Sequence, residues 1–222
     1  MTATAPRIDV QFFESDHTYT LNGSDAFGVT TILKGEGLSG SNFWKQEHRD
    51  RGTAVHKIAM LINSRPWRGA TVEEIIQNSR WDPDKTDPAL IGYGYAEAKF
   101  LLESGFRPEL VERPVGSQRF GICGTLDAWG SLPSGEKLLP DFKSGLPQES
   151  AWLQLQLYAM CLEETYGVKT DVLTPVWLQA DGGYKIWPMR RPGGADLAVA
   201  QCAVNLYKWR AAHKMLDKEV AN

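Results

Sequence analysis

Three residues are spaced so that they could do chemistry together: Asp127, Asp141 and Lys143. Around them the chain reads Gly124-Thr-Leu-Asp127, then a turn, then Leu138-Leu-Pro-Asp141-Phe-Lys143. Aromatic and branched residues at strand spacing predict strands over about 119–131 and 137–144. Between them, Leu132-Pro-Ser-Gly-Glu136 reads as a turn by its Pro, Ser and Gly. A turn centred on Ser134 sets Asp127 directly opposite Asp141, with Cβ atoms about 5 Å apart. Residues two apart on a strand share a face, so Asp141 and Lys143 point the same way. Two carboxylates that close repel each other, and a divalent cation relieves the repulsion. Oxygen ligands select a hard ion such as magnesium or manganese. An Asp-x-Lys strand on its own is more often a solvated edge, so the surrounding elements decide its meaning.

Several of those elements carry polar residues that a core does not need. A helix is predicted to begin with Thr53 as N-cap and to run to about Asn63, with Val55, Ala59 and Ile62 as its apolar row. His56 lies one residue off that row and can project over the sheet edge. A strand over about 109–115 carries Glu112, which fits either a site role or an exposed edge. Residues 148–166 read as a helix stopped by Gly167. Its apolar row is Leu155, Ala159, Leu162 and Tyr166, while Gln154, Tyr158 and Cys161 share the adjacent face.

The rest of the chain is scaffold. Asn22-Gly23 predicts a hairpin in the first thirty or so residues. Residues 35–40 form a glycine-rich joint, and 42–50 a charged helix that Gly52-Thr53 interrupts. Helices are expected over about 71–78, capped by Thr71, and 89–104, ended by Gly105. Tyr93, Tyr95 and Phe100 on the latter read as core. Two late strands, about 171–179 and 184–189, precede a helix over about 195–218. In that helix Val199, Cys202, Leu206, Trp209 and Leu216 are the expected inward row, with Lys208, Lys214 and Lys218 facing out.

Taken in order, Arg51-Gly-Thr-Ala-Val-His56, Gly124-Thr-Leu-Asp127, Asp141-Phe-Lys143 and Gln154-x-x-x-Tyr158 resemble four motifs of the PD-(D/E)XK nuclease superfamily. The branch is that of the RecB nuclease domain and phage exonucleases. The motifs span roughly half of the chain. The Pro-Asp of the family name occurs here as Pro140-Asp141, on the Asp-x-Lys strand. A His17-x-Tyr19 hairpin followed by Val29-Thr30 also resembles the N-terminal region of phage-type members.

The resemblance implies an α/β fold: a restriction-endonuclease-like αβββαβ core with a mixed central sheet flanked by helices. It implies one nuclease domain over 1–222, with an N-terminal addition (1–50), a catalytic core (51–190) and a C-terminal helix (191–222). The implied activity is that of a Mg2+- or Mn2+-dependent deoxyribonuclease, an exonuclease of phage or repair and recombination type. The alternative is a catalytically idle DNA-binding or assembly module on the same fold. The implied metal ligands are His56, Asp127, Asp141 and the Phe142 backbone carbonyl, with Glu112 as a further candidate. Lys143 would act on the water and the transition state. Gln154, Tyr158, Arg51 and Thr125 would contact the DNA or brace the site. The implied partners are DNA and a single-strand annealing or recombination protein, with oligomerisation left open.

Composition sets the outer bounds. The 222 residues are 42% hydrophobic and 23% charged, which suits one well-buried core. No apolar run approaches the about 18 residues of a membrane span. Residues 1–7 lack a signal peptide's apolar segment, so a cytoplasmic protein without membrane association is expected. Cys123, Cys161 and Cys202 are too widely spaced for a zinc or iron–sulfur site and read as buried free thiols. The net charge of −3 requires any nucleic-acid surface to be local. The basic clusters are Lys45, His48, Arg49 and Arg51; Arg65 and Arg68; Arg190 and Arg191; and Lys208, Arg210 and Lys214. A charge run of this kind is more often a solvated face than a binding patch.

Overall fold

Two long strands and the helix that follows them position the acidic residues. A computed structural model describes residues 6–39, 46–67 and 69–216. Strands β1 (Val10–Phe13), β2 (Thr18–Leu21) and β3 (Ser24–Gly28) form an antiparallel meander. Asn22 and Gly23 both have positive φ, 50° and 79°, as the two-residue β2–β3 turn requires. After helices α1 (Val29–Gly35), α2 (Gln46–Asn63), α3 (Val72–Asn78) and α4 (Pro88–Ser104) come β4 (Arg107–Ser117), β5 (Ile122–Ser131) and β6 (Lys137–Lys143). Helix α5 (Ser150–Tyr166), strands β7 (Val172–Leu178) and β8 (Tyr184–Ile186), and helix α6 (Gly194–Ala212) complete the chain. From α4 to β7 the order is helix, three strands, helix, strand.

The sheet is mixed and flanked by helices. Its order is β1-β2-β3-β5-β6-β7-β8, with β4 paired to β5. The β3–β5 and β6–β7 pairs are parallel and the rest antiparallel. One face packs α2, α3 and α4 against Phe142, Val176 and Leu178. The other packs α1, α5 and α6 against Leu126, Leu139 and Leu173. β6 and β7 are buried almost throughout because helices cover both their faces. Glycines in the left-handed conformation end α4 and α5, at Gly105 (φ 66°) and Gly167 (φ 69°). Thr71 caps α3 by accepting the Glu74 N–H at 3.2 Å. Among the described residues, no helix is long and apolar enough to cross a membrane.

Some local expectations are corrected. α2 runs unbroken through Gly52 and Thr53, so Thr53 is not an N-cap. A glycine inside a helix costs about 1 kcal/mol against alanine. The buried row of Val55, Ile58, Ala59 and Ile62 offsets that cost. Residues 42–45 of the expected preceding helix, and Lys45 and Arg68 of the basic clusters, lie outside the described residues. β5 starts at Ile122 because a turn ends at Gly121 (φ 63°). β8 stops at Ile186, and Trp187 packs on Trp177 at 4.5 Å between ring centroids. α6 ends at Ala212, Lys218 lying outside the described residues. Its expected inward row faces outward instead: Ala200, Ala203, Val204 and Tyr207 are buried, while Val199, Cys202, Leu206 and Trp209 are exposed. Small residues let α6 sit close to α5, which turns the bulkier row away.

Candidate active site

The site forms where the sheet opens. β4 pairs along the whole of one edge of β5. The other edge pairs with β3 at Ile122 and Cys123 and with β6 at Gly130 and Ser131. Residues 124–129 have no ladder partner on that edge among the described residues. The β5–β6 register is the one expected from the turn: Gly130 meets Leu138 and Ser131 meets Lys137. Continued, it would set Asp127 opposite Asp141, but the strands splay first. Asp127 fills the opening, and its Oδ2 accepts the Phe142 backbone N–H at 2.6 Å.

Asp127 is also where His56 and Glu112 converge. His56, on α2, places Nδ1 3.1 Å from Asp127 Oδ1. On β4, Val111 pairs with Ala128 and Arg113 with Leu126, so Glu112 falls opposite Asp127. Glu112 is left-handed, with φ 47°. For a residue with a Cβ that conformation costs about 1–3 kcal/mol and is found where the surroundings impose it. One ligand atom each from His56, Glu112 and Asp127 lie within 4.8 Å of one another. Octahedral ligands at about 2.1 Å from magnesium or manganese stand about 3–4 Å apart, so two carboxylates and an imidazole at this spacing fit one hard divalent ion.

The titration behaviour follows from burial and charge. The Asp127 charge raises His56 to about 8, against the effect of burial. Burial acts to raise Asp127, but His56, Lys143 and the Phe142 N–H outweigh it and hold its carboxyl below the usual range. Burial, then repulsion from Asp127, push Glu112 up to about 7. Asp141 is raised by burial, despite the Lys143 ammonium beside it.

Asp141 and Lys143 share a face as expected, with Lys143 Nζ 2.8 Å from Asp141 Oδ2. Among the described residues, no aligned hydrogen-bond donor serves that buried carboxylate oxygen. Lys143 Nζ also donates to Gln154 Oε1 at 3.0 Å, and Gln154 Nε2 donates to Tyr158 Oη at 3.0 Å. This chain fixes the Gln154 amide, because only its carbonyl can face the ammonium. Tyr158 lies flat against Gly124, where a Cβ would come within 2.4 Å of its ring. Gln154 and Tyr158 are both buried.

Of the remaining expected site residues, Thr125 shares a 3.1 Å hydrogen bond with the Tyr19 hydroxyl. Arg51 lies on α2 with its Nε buried and, among the described residues, without a hydrogen-bond partner. The adjoining cavity, about 270 Å³, is lined by Lys143, His56, Gln154, Thr30, Lys34 and Gly52, among others, but not by Arg51. Asp141 stands outside the His56–Glu112–Asp127 group. Of the thiols, Cys123 and Cys161 are buried but Cys202 is exposed, which corrects the expectation of three buried cysteines.

Two contributions were not foreseen. Tyr19 reaches the site from the N-terminal meander, and its only sequence signal is the His17-x-Tyr19 pattern. Beneath the site, Asn63 Nδ2 donates to Glu97 Oε1 at 2.6 Å and joins α2 to α4. Glu97 is fully buried, and burial pushes it up to about 8. Among the described residues, neither its Oε2 nor the Asn63 Oδ1 has a hydrogen-bond partner. A proton on Glu97 Oε2 would give each of them one.

No protein-family model matches the chain, and no curated protein matches it. Among solved structures it is similar to LHK-Exo, an alkaline exonuclease from Laribacter hongkongensis. The identity is 10% and the TM-score 0.45, covering 86% of this chain and 89% of that one. A structure of LHK-Exo in complex with dAMP aligns at 13% identity, with TM-score 0.45 and the same coverage. At these values the functional reading rests on the side chains of the site.

Proposed function

We propose that this chain is a divalent-metal-dependent nuclease that hydrolyses DNA phosphodiester bonds, acting as an exonuclease of the type implied by its four motifs. The observation that carries the reading is the convergence of His56, Glu112 and Asp127, within 4.8 Å, at the opening between β5 and β6. A hydrophobic core does not need such a group, and Glu112 adopts a strained backbone to join it. His56, Glu112 and Asp127 would hold a magnesium or manganese ion, with Asp141 Oδ2 and the Phe142 carbonyl as candidate further ligands. When bound, the metal would lower the pKa of its water and offset charge developing on the phosphate.

Lys143 has a different role. Burial works against its charge, but Asp141 and Asp127 outweigh burial and hold its pKa above the ordinary value. At neutral pH it is therefore an ammonium. It orients the attacking water and stabilises the developing negative charge, and does not itself take a proton. Gln154 and Tyr158 hold the ammonium in place, and the adjoining cavity receives the substrate backbone. In this reading residues 1–222 act as one nuclease domain, with the meander completing the site through Tyr19.

The test is digestion of end-labelled linear DNA and closed circular DNA with magnesium, with manganese and with chelator. Exonucleolytic hydrolysis degrades the linear substrate and spares the circle, and chelator stops it. Protein that retains DNA in a gel shift yet cleaves neither substrate with either metal would sink the reading and leave a DNA-binding module.

A further inference from the structure

A second cavity lies beside the one that adjoins the site. Its volume is about 310 Å³, and Tyr93, Trp177, Leu178, Gln179 and Lys185 are among its lining residues. The loop from Ser144 to Leu146, which follows β6, lines both cavities, and so does Trp177. Lys143, Trp177 and Lys185 are partners across β6, β7 and β8, so their side chains stand in a row on one face of the sheet. The row crosses the carboxyl end of the parallel β6–β7 pair, where open α/β sheets bind their ligands. Lys34 and Lys143 line the first cavity and Lys185 the second, and among the described residues no carboxylate lines either. Lys185 is exposed and has no ion pair among the described residues. Leu146 borders both cavities and is 82% exposed, more than any other large apolar side chain among the described residues. In a chain of net charge −3, joined cavities with lysines and without carboxylates fit a polyanion.

We infer that the DNA strand held at the site continues through the second cavity, with Lys185 on a backbone phosphate and Leu146 against a base between that phosphate and Lys143. The inference takes DNA as the ligand from the nuclease reading and adds the path the strand follows. Two strand spacings separate the backbones of Lys143 and Lys185, about 10 Å. Each DNA strand carries a phosphate for about every 3.4 Å of helix axis, and the interval lengthens when the strand is unpaired. Lys185 therefore meets a phosphate within about three linkages of the one at Lys143. A lysine holds a phosphate as a point charge and reads no sequence. Leu146, between Gly145 and Pro147, offers no charge at all. Apolar side chains that meet nucleic acid lie against base faces or between base steps. An acidic protein segment would also suit the lysines, but continuity with the metal-binding group and Lys143 fits a strand whose next phosphates follow the same line.

The test is binding of a fluorescently labelled single-stranded oligonucleotide to the full chain at several salt concentrations, in chelator so that nothing is cleaved. Each phosphate that a lysine neutralises on single-stranded DNA adds about 0.7 to the slope of log affinity against log salt. Lys185→Ala should weaken binding and lower the slope by about that amount. Leu146→Ser should weaken binding with the slope unchanged, because an apolar contact releases no counterion. Lys169→Ala removes an exposed charge before the opposite end of β7 and should keep the wild-type affinity and slope. All three side chains are exposed, so each variant should keep the wild-type circular dichroism. A Lys185→Ala or Leu146→Ser variant that binds as the wild type does overturns the inference. So does an equal loss in Lys169→Ala, which would reflect net charge alone. Because binding is read without metal, a chain that passes this test and cleaves nothing would fail only the nuclease reading.

Discussion

Asp127 Oδ2 accepts the backbone N–H of Phe142 at 2.6 Å, across an opening where β5 and β6 share no ladder hydrogen bond. One carboxylate therefore both closes the sheet and faces the site. The two roles separate by substitution. Asp127→Ala leaves a buried amide without an acceptor and should destabilise the protein by about 1–3 kcal/mol. Asp127→Asn keeps an acceptor oxygen for that amide but gives up the His56 ion pair, so it should lose less stability than Asp127→Ala and its remaining loss should shrink as pH rises through about 8, yet it should cleave DNA at least about a hundredfold more slowly. Thermal denaturation and a cleavage assay on both variants test this. Wild-type turnover in Asp127→Asn would remove Asp127 from the chemistry.

Metal binding should depend on pH through His56. With its pKa near 8, His56 is largely protonated at neutral pH, whereas a ligating imidazole must be neutral. Manganese affinity should therefore rise by about tenfold per pH unit up to about pH 8 from the His56 proton alone, more steeply below about 7 where Glu112 also sheds one, and then level off. Without metal the sign is opposite for stability. The His56–Asp127 contribution is complete below the unfolded value of 6.5 and is lost as pH rises through about 8. Calorimetry with manganese at several pH values, on wild type and His56→Ala, measures the first effect. Affinity that does not change with pH in the wild type would show that His56 is not a ligand.

The Asn63–Glu97 pair predicts a second pH dependence. Glu97 is raised from 4.5 to about 8, so between those values the folded protein holds a proton that the unfolded chain releases. Stability should fall with rising pH across that window, by at most about 1.4 kcal/mol per unit. Glu97→Gln supplies a neutral group of the same shape and can serve both Asn63 atoms. It should remove this part of the slope and melt higher than the wild type in mild alkali. Parallel melting curves for the two proteins would mean that Glu97 does not titrate in this window.

The parts of the site that were legible in the sequence depend on short-range geometry. A turn centred on Ser134 and the two-residue strand period fix the register of Asp127 and Asp141 and the shared face of Asp141 and Lys143. A one-turn helical step likewise aligns Gln154 with Tyr158. Glu112 was harder to read, because propensity does not reveal a left-handed residue within a strand. The Asn63–Glu97 contact joins helices 34 residues apart, and no local period signals it. α6 carries two apolar rows. The bulkier one dominates the periodicity, but the smaller one packs. Period identifies a row without saying which side the protein body lies on.

Lys143 separates a nuclease from a binding module. Its Nζ lies 2.8 Å from Asp141 Oδ2 and 3.0 Å from Gln154 Oε1, and as a cation it cannot ligate a metal. Its action falls on the transition state, so removing it should lower kcat and kcat/KM together while DNA binding changes little. Lys143→Ala should still bind manganese and still retard DNA in a gel, with cleavage at least about a hundredfold slower. Lys143→Arg keeps the charge but carries a planar fork in place of a compact ammonium, and should not restore full activity. Gln154→Leu removes the acceptor that holds the ammonium. It should give a smaller loss of the same kind, in kcat more than in KM. If Lys143→Ala cleaves at the wild-type rate, the mechanism fails. If Gln154→Leu changes only the melting temperature, Gln154 belongs to the core and not to the site.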